Sequence, residues 1–249
     1  MKVVATYNIK GGVGKTSAAV NLAALAARDG FRTLLWDLDP QGSATYLFRV
    51  KAKVRGGVRK LIERRSDLED LLKGTDIEGL DLLPADFSYR HMDLALGDTK
   101  HPEARLGRIL GQVADDYDLA ILDCPPSISL VSESVFETAD ALLVPLIPAT
   151  LSVRTFEQLL RFVQDQVADP PDVVAFFSMV DRRKRLHREV VDGLGGLYPQ
   201  VAAAAIPASS EVERMGVDRV PLVVRAPAHP AARAYAELWQ EAVARLGLR

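Results

Sequence analysis

A glycine-rich loop flanked by two lysines, KGGVGKT over residues 10–16, carries the clearest chemistry in this sequence. The apolar residues 3–7 predict a buried strand before it, and the alanine-rich residues 17–27 predict a helix after it, ending at Gly30. Glycines allow backbone N–H groups to face an anion at a helix N-terminus, where Lys15 would reach the terminal phosphates and Thr16 would bind Mg²⁺. The pattern therefore predicts a nucleotide-phosphate site.

Acidic residues end two further apolar runs. Residues 34–43, LLWDLDPQGS, contain Asp37 and Asp39 at alternate positions, so both lie on one side of a strand end, or merely cap a turn. Residues 119–123, LAILD, have the Walker B form that delivers Asp123 to Mg²⁺. Pro125 and Pro126 cannot continue a sheet, so the chain turns there, either for structural reasons or as a loop that responds to the γ-phosphate.

Apolar runs alternate with helical patterns along the chain, which predicts an α/β fold with a doubly wound, mostly parallel sheet and helices on both faces. Further strands are predicted over residues 80–84, 141–145, 173–180 and 201–206, and helices over residues 104–115, 155–167, 186–197 and 231–246. The basic segment 50–65 has the weakest pattern and is predicted to be a solvated surface. We expect one domain, residues 1–249.

Composition limits the possible functions. The chain has 249 residues and a formal net charge of −2, so contact with nucleic acid or anionic lipid must come from a local patch. Cys124 is the only cysteine, which excludes an internal disulfide and a cysteine-rich metal site within one chain. No leader pattern follows Met1 and no apolar run has spanning length, so a cytoplasmic protein is expected.

The loop departs from the common phosphate-loop pattern because Ile9 stands in place of the first glycine and Lys10 follows it directly. With this signature lysine it resembles the ParA/MinD family of deviant Walker A P-loop ATPases. Residues 34–43, 119–127, 139–146, 155–159 and 234–239 match the same family in order, so the resemblance covers nearly the whole chain. Within the family, this sequence best resembles the short, Soj-like ParA proteins, which have no N-terminal DNA-binding extension.

The resemblance implies a site for ATP and Mg²⁺. Lys10 would cross a dimer interface to the partner's ATP, and with Lys15 it would neutralise charge on the transferred phosphoryl group. Asp39 would orient the attacking water, and Asp37 would support Mg²⁺ or the loop. The residues expected around Mg²⁺ are Thr16, Asp39 and Asp123.

The family also cradles the base at two neighbouring strand ends, so Met179 and Pro207 are predicted to contact adenine, unless both serve packing alone. The predicted ATP-binding residues are Lys10, Gly11, Gly12, Val13, Gly14, Lys15, Thr16, Ser17, Met179 and Pro207.

A basic segment follows the strand predicted over residues 173–180, where the family has its nonspecific DNA-binding residues. Arginines spaced three apart would share a helix face if the helix began early, although such a run is also typical of a solvated surface. The arginine-containing segment of many relatives is replaced here by residues 206–211, IPASSE, and Arg214 or Arg219 is a possible substitute. The predicted DNA-binding residues are Arg182, Arg183, Lys184, Arg185, Arg188 and Arg214.

The resemblance thus implies a nucleoid-associated ATPase that dimerises with ATP, binds DNA nonspecifically and hydrolyses ATP when a ParB-like or cargo-adaptor protein stimulates it. Its cargo would be a plasmid, a chromosome locus or a protein assembly. Two alternatives remain: a MinD-like membrane-associated regulator, and an ATP-dependent synthetase of the cobyrinic acid diamide or dethiobiotin type. The mixed charge of the C-terminal helix favours docking onto the sheet, so no stable membrane association is expected.

Overall fold

An eight-stranded sheet forms the centre of the computed structural model, which describes residues 1–194 and 196–248. The strands are β1 (Lys2–Thr6), β2 (Thr33–Asp37), β3 (Lys73–Gly74), β4 (Leu80–Leu83), β5 (Leu119–Asp123), β6 (Ala141–Leu146), β7 (Asp172–Val180) and β8 (Val201–Pro207). Their order is β3-β4-β2-β5-β1-β6-β7-β8, and β3 is antiparallel to β4 while the other pairs are parallel. The predicted α/β fold with a mostly parallel sheet is confirmed.

Helices connect the strands and cover both faces of the sheet. They are α1 (Lys15–Arg28), α2 (Ser43–Leu47), α3 (Gly57–Ile62), α4 (Met92–Gly97), α5 (Arg105–Leu110), α6 (Leu130–Thr138), α7 (Thr150–Gln166), α8 (Arg185–Leu194), α9 (Ser210–Glu213), α10 (Met215–Asp218), α11 (Leu222–Arg225) and α12 (Pro230–Leu246). One apolar cluster joins α1, α11 and α12 to the sheet, and a second lies beneath α4 to α7. Since both faces are covered, β2, β5 and β6 are buried at every residue, which explains their unbroken apolar runs.

Sequence periodicity missed the short and irregular elements. The segment 50–65 exposes its charges as expected, but Val54, Val58, Leu61 and Ile62 are buried, and the last three lie in α3. The helix predicted over residues 104–115 is α5 followed by a 3₁₀ turn at Gly111–Val113. Two- and four-residue elements such as β3, α9 and α10 are too short to show a period.

The C-terminal helix α12 packs its apolar side against β8 and α1. Leu238 and Trp239 are buried, and the Trp239 Nε1 atom donates a hydrogen bond of 2.8 Å to Asp29 Oδ2 beyond the end of α1. Glu241 accepts hydrogen bonds from the amides of Ala203 and Ala204 on the edge strand β8, at 2.9 and 2.8 Å. The helix therefore docks onto the sheet, as its mixed charge predicts. No helix within the described residues is long and apolar enough to span a membrane.

We expect Leu238→Ala to lower the free energy of unfolding by about 2–5 kcal/mol, because the side chain is fully buried and its removal leaves a cavity. The exposed neighbour Glu237 provides the control. Glu237→Ala should change the free energy of unfolding by less than about 0.5 kcal/mol. Urea unfolding monitored by circular dichroism measures both. Equal stability of the two variants would contradict the docking of α12.

Candidate nucleotide-binding site

The phosphate loop connects β1 to α1 and requires glycine at two positions. Gly12 and Gly14 have φ angles of +70° and +98°, a region that side chains rarely adopt. At Gly14 a Cβ atom would also lie 2.8 Å from the Oγ atom of Ser178, which is buried on β7. The loop is therefore confined between its own backbone geometry and the neighbouring strand.

The Lys15 ammonium group is held inside this loop. Its Nζ atom donates to the backbone oxygens of Asn8 and Lys10, at 3.1 and 3.0 Å, and the residue is only 7% exposed. Asn8 braces the loop, since its Oδ1 atom accepts from the Lys10 amide and its Nδ2 atom donates to the Pro145 oxygen. Burial lowers the pKa of Lys15, and the negative charges of Asp123 and Asp39 oppose that shift. A phosphate group arriving in the loop would replace the carbonyl oxygens as the partner of this cation.

Two buried carboxylates lie side by side on adjacent strands, and the charge of one of them, Asp123, acts on Lys15. Asp37 ends β2 and Asp123 ends β5, and their Cα atoms are register partners. Burial raises the pKa of Asp123 well above its usual value and the charge of Asp37 adds to the rise, while the Thr16 side chain opposes it. Burial also raises the pKa of Asp37, to about 6, against hydrogen bonds from Thr45 that lower it. The protein thus places two carboxylates close together in its interior, where a bound cation would compensate their negative charge.

Thr45 fixes the position of Asp37 in this pair. Its amide and hydroxyl groups donate to Asp37 Oδ2 at 2.8 and 2.7 Å, and its hydroxyl oxygen accepts from the Ala85 amide at 2.8 Å. The other carboxylate oxygen of Asp37 accepts from the Asp39 amide at 3.3 Å. Asp37 is therefore committed to holding α2 and the Asp39 backbone, which leaves Asp39 as the partly exposed carboxylate of the two.

The residues at this edge of the sheet fit a magnesium ion. Asp123 Oδ2 is buried and has no hydrogen-bond partner among the described residues, and the Thr16 side chain lies next to Asp123. Carboxylate and hydroxyl oxygens are ligands that Mg²⁺ accepts, directly or through water. An orphaned carboxylate oxygen in the protein interior is costly unless a cation or ordered water satisfies it.

A cleft of about 600 Å³ opens in front of the phosphate loop. Most of the predicted ATP-binding residues line it, as does Asp39, whereas Lys10, Val13 and Pro207 do not. Val13 is buried, and Pro207 lies on β8 opposite Val180. The predicted residues that line the cleft are Gly11, Gly12, Gly14, Lys15, Thr16, Ser17 and Met179.

Met179 reaches the cleft because β7 is irregular at its end. Its φ angle is +57°, the register with β8 shifts between Phe177 and Val180, and the side chain is 39% exposed. Another wall of the cleft, not predicted from the sequence, comes from α2 and from the short helices α9 and α10. Its residues include Tyr46, Leu47, Val212, Glu213, Met215 and Gly216.

The basic segment after β7 differs in part from the expected stripe. The imidazole of His187 is buried and accepts a hydrogen bond from the Asp181 amide, and α8 begins only at Arg185, so Arg182 precedes the helix. The Arg188 guanidinium folds back onto the Arg182 backbone oxygen at 2.6 Å. All five cations of the segment 182–188 are exposed.

Several of these cations already have acidic partners. Arg183 pairs with Asp181 at 2.9 Å and Arg185 with Glu189 at 2.6 Å. Arg214 lies after β8, in the neighbouring connection, and pairs with Asp218 at 3.7 Å. Its neighbourhood includes Arg225, which is bound to both Glu211 and Asp218. The candidate DNA-binding surface is therefore basic but partly neutralised from within the chain.

Comparison with known proteins agrees with this geometry. The family described as AAA domain (AAA_31) matches residues 1–169. The chain is 32% identical to the sporulation initiation inhibitor protein Soj of Bacillus subtilis, over 98% of each protein. It is 29% identical to the chromosome-partitioning ATPase Soj of Treponema pallidum, over 100% of this chain and 99% of the relative.

A solved structure that resembles this one is cobyrinic acid a,c-diamide synthase from Mycobacterium smegmatis with bound ADP and magnesium. The TM-score is 0.83 at 27% identity, and the alignment covers 100% of this chain and 96% of the synthase. Fold and site together define a P-loop nucleotide-binding protein with a doubly wound sheet. The chain belongs to the ParA/Soj family of P-loop ATPases.

We expect Gly14→Ala to lower the free energy of unfolding of the nucleotide-free protein by about 2–5 kcal/mol. The cost combines a left-handed backbone, about 1–2 kcal/mol, with crowding against Ser178, about 1–3 kcal/mol. Gly11→Ala is the matched control, because its Cβ would lie 4.0 Å from the nearest atom, on Pro126, and should cost less than about 1 kcal/mol.

Chemical unfolding of both variants, and of Gly14→Ala combined with Ser178→Ala, measures these costs. The double variant should recover the part due to crowding. If Gly11→Ala and Gly14→Ala were equally stable, the loop would not be confined by β7.

Proposed function

We propose that this protein is a partition-type ATPase that dimerises around two ATP molecules, binds DNA nonspecifically as the dimer, and releases it after hydrolysis stimulated by a partner. ATP is the nucleotide and Mg²⁺ the metal, as in the structural relatives with bound ADP or an ATP analogue and magnesium. Full-length similarity to Soj proteins supports a role in partitioning within the cytoplasm, at the nucleoid. A single ATPase domain would suffice for this cycle.

The proposal rests on the contacts of Lys10. Its amide donates to Asn8 Oδ1 at 2.9 Å and its backbone oxygen accepts from Lys15 Nζ at 3.0 Å, so the backbone of Lys10 is fixed. The ammonium group of Lys10 forms no ion pair or hydrogen bond within residues 1–194 and 196–248, and the side chain does not line the chain's own cleft. A cation held at the edge of a phosphate loop, and unused by its own chain, suits the phosphates of a nucleotide on a second copy.

The roles within one active site follow from what each side chain can still do. Lys15 is positioned to neutralise charge that develops on the transferred phosphoryl group. Asp39 lines the cleft and is partly exposed, so it is the carboxylate available to orient a water molecule. Asp37 holds the Asp39 loop in place, and Thr16 and Asp123 would hold Mg²⁺. When bound, Mg²⁺ would neutralise phosphate charge.

Pro125 and Pro126 belong to a loop that could change with the presence of the γ-phosphate. Pro126 lines the cleft and approaches the position of a Cβ atom at Gly11. The following Ser127 is tied to the core, since its backbone oxygen accepts from the hydroxyls of Tyr7 and Ser132 at 2.8 and 2.7 Å. This supports a loop that is anchored on one side and faces the γ-phosphate on the other, in addition to its structural role as a turn.

A second function is favoured by one observation, the 27% identity to cobyrinic acid a,c-diamide synthase over the full chain. As a synthetase, the protein would use ATP to activate a carboxylate substrate. The Soj relatives are more similar in sequence over the same length, and the synthetase reading leaves Lys10 without a role. ATP turnover that depends on an added carboxylate substrate, and is indifferent to DNA and partner proteins, would favour the synthetase.

We expect Asp39→Ala to reduce ATP turnover by at least about 100-fold while ATP binding persists, because the variant loses the carboxylate that orients water. The ATP-bound dimer should then accumulate in analytical ultracentrifugation. Lys15→Ala provides the contrast, since it should abolish tight ATP binding and dimerisation together. Wild-type turnover by Asp39→Ala would place the water-orienting group elsewhere.

DNA binding is tested by fluorescence anisotropy with random-sequence duplex DNA, in ATP, ADP or no nucleotide, over a salt series. Binding should require ATP and weaken by roughly 0.9 log units per tenfold increase in salt for each phosphate contacted. Replacing Arg182, Arg183 and Arg185 with Glu should weaken binding and leave the ATP-dependent dimer intact. Glu at the exposed Lys100, Arg108 and Arg161 is the control for net charge. No binding in any nucleotide state would contradict the proposed function.

A further inference from the structure

A second concentration of positive charge lies at the β3 edge of the sheet, far along the chain from the segment 182–188. Lys51, Lys53 and Arg55 from the loop after α2, and Lys73 from β3, line one cleft of about 600 Å³. All four side chains are exposed, and Asp70 is the only carboxylate among the lining residues. We call this surface the β3 cleft.

The cations of the β3 cleft are less neutralised than those after β7. Within residues 1–194 and 196–248, none of the four forms an ion pair, and Lys73 donates only to the backbone oxygen of Asp70, at 3.4 Å. Lys53 also lies close enough to Asp86 to affect its titration. By contrast, Arg183 and Arg185 are both paired with carboxylates. A polyanion that bound in the β3 cleft would break no ion pair.

The segment that carries Lys51 and Lys53 also runs close to the nucleotide site. Gly42 belongs to the loop that follows Asp39, and its amide donates to the Asp39 oxygen at 2.9 Å. A Cβ atom added at Gly42 would lie 3.6 Å from the Cβ of Ala52, so the segment between Lys51 and Lys53 passes close to the Asp39 loop.

The geometry points to the phosphate backbone of duplex DNA as the ligand of the β3 cleft, an inference that rests on the DNA binding proposed above. The cleft has the volume of about twenty water molecules, too large for one inorganic anion and open enough for an extended chain. Lysine and arginine contacts to phosphates give nonspecific affinity without reading bases. Protein interfaces instead rely on aromatic anchors and are depleted in lysine, and no aromatic side chain lines this cleft.

The test replaces Lys51, Lys53, Arg55 and Lys73 with Gln and compares the variant with Gln at Lys100, Arg108, Arg161 and Arg233, which are exposed and lie elsewhere. Both variants carry the same net charge. DNA binding is measured by anisotropy with a non-hydrolysable ATP analogue over a salt series. The cleft variant should lose at least about tenfold in affinity, and its salt slope should fall by about 0.9 for each lost phosphate contact, whereas the control should match the wild type.

Chemical acetylation of lysines, read by mass spectrometry, tests the contact on the wild-type protein. With DNA and the ATP analogue, Lys51, Lys53 and Lys73 should be protected relative to Lys100. Wild-type affinity and salt slope in the cleft variant, without protection, would overturn the inference and leave the proposed function standing. No DNA binding by the wild type would overturn both. If poly-glutamate binding were lost in the cleft variant while DNA binding persisted, the surface would serve an acidic protein segment instead.

Discussion

Burial of the Lys15 ammonium group among carbonyls and carboxylates is the constraint on which the rest of the site depends. A cation that is 7% exposed must be matched at short range, and the protein supplies the backbone oxygens of Asn8 and Lys10 together with the charges of Asp123 and Asp39. The loop can approach this closely because Gly14 has no side chain to meet Ser178. The chain's own groups therefore organise the nucleotide site, and a polyphosphate and a divalent cation would complete it.

The parallel sheet explains why these groups converge. Carboxyl ends of β1, β2 and β5 meet at one edge, so the phosphate loop and the two buried aspartates come together although they are far apart in the sequence. Thr45 then transmits the position of Asp37 to α2 and to the end of β4 through short hydrogen bonds. Hydrogen bonds also join Asp37 to the Asp39 amide, and the Asp39 oxygen to the Gly42 amide, so the loop after β2 is tied to the phosphate site.

Much of the fold and of the phosphate site was predictable from the sequence. Buried strands are apolar at every residue, the alanine-rich α1 follows a glycine loop, and the aspartates end their strands, so both fold and phosphate site could be assigned from pattern. The wall formed by α2, α9 and α10 could not, because α9 and α10 have only four residues each and α2 has five. Thr45 carries no motif signal of its own, and the pairing of Arg183 and Arg185 with carboxylates depends on side-chain geometry.

The central claim is that the buried carboxylates form part of a binding site for a magnesium-bound nucleotide. Calorimetric titration of ATP into the protein, in Mg²⁺ and in EDTA, tests this claim most directly. The wild type should bind ATP more tightly in Mg²⁺ by about 10–100-fold, and Asp123→Asn, verified as folded by its unfolding curve, should lose that difference. Equal ATP affinity of the wild type in Mg²⁺ and EDTA would contradict the claim. So would an unchanged magnesium dependence in Asp123→Asn.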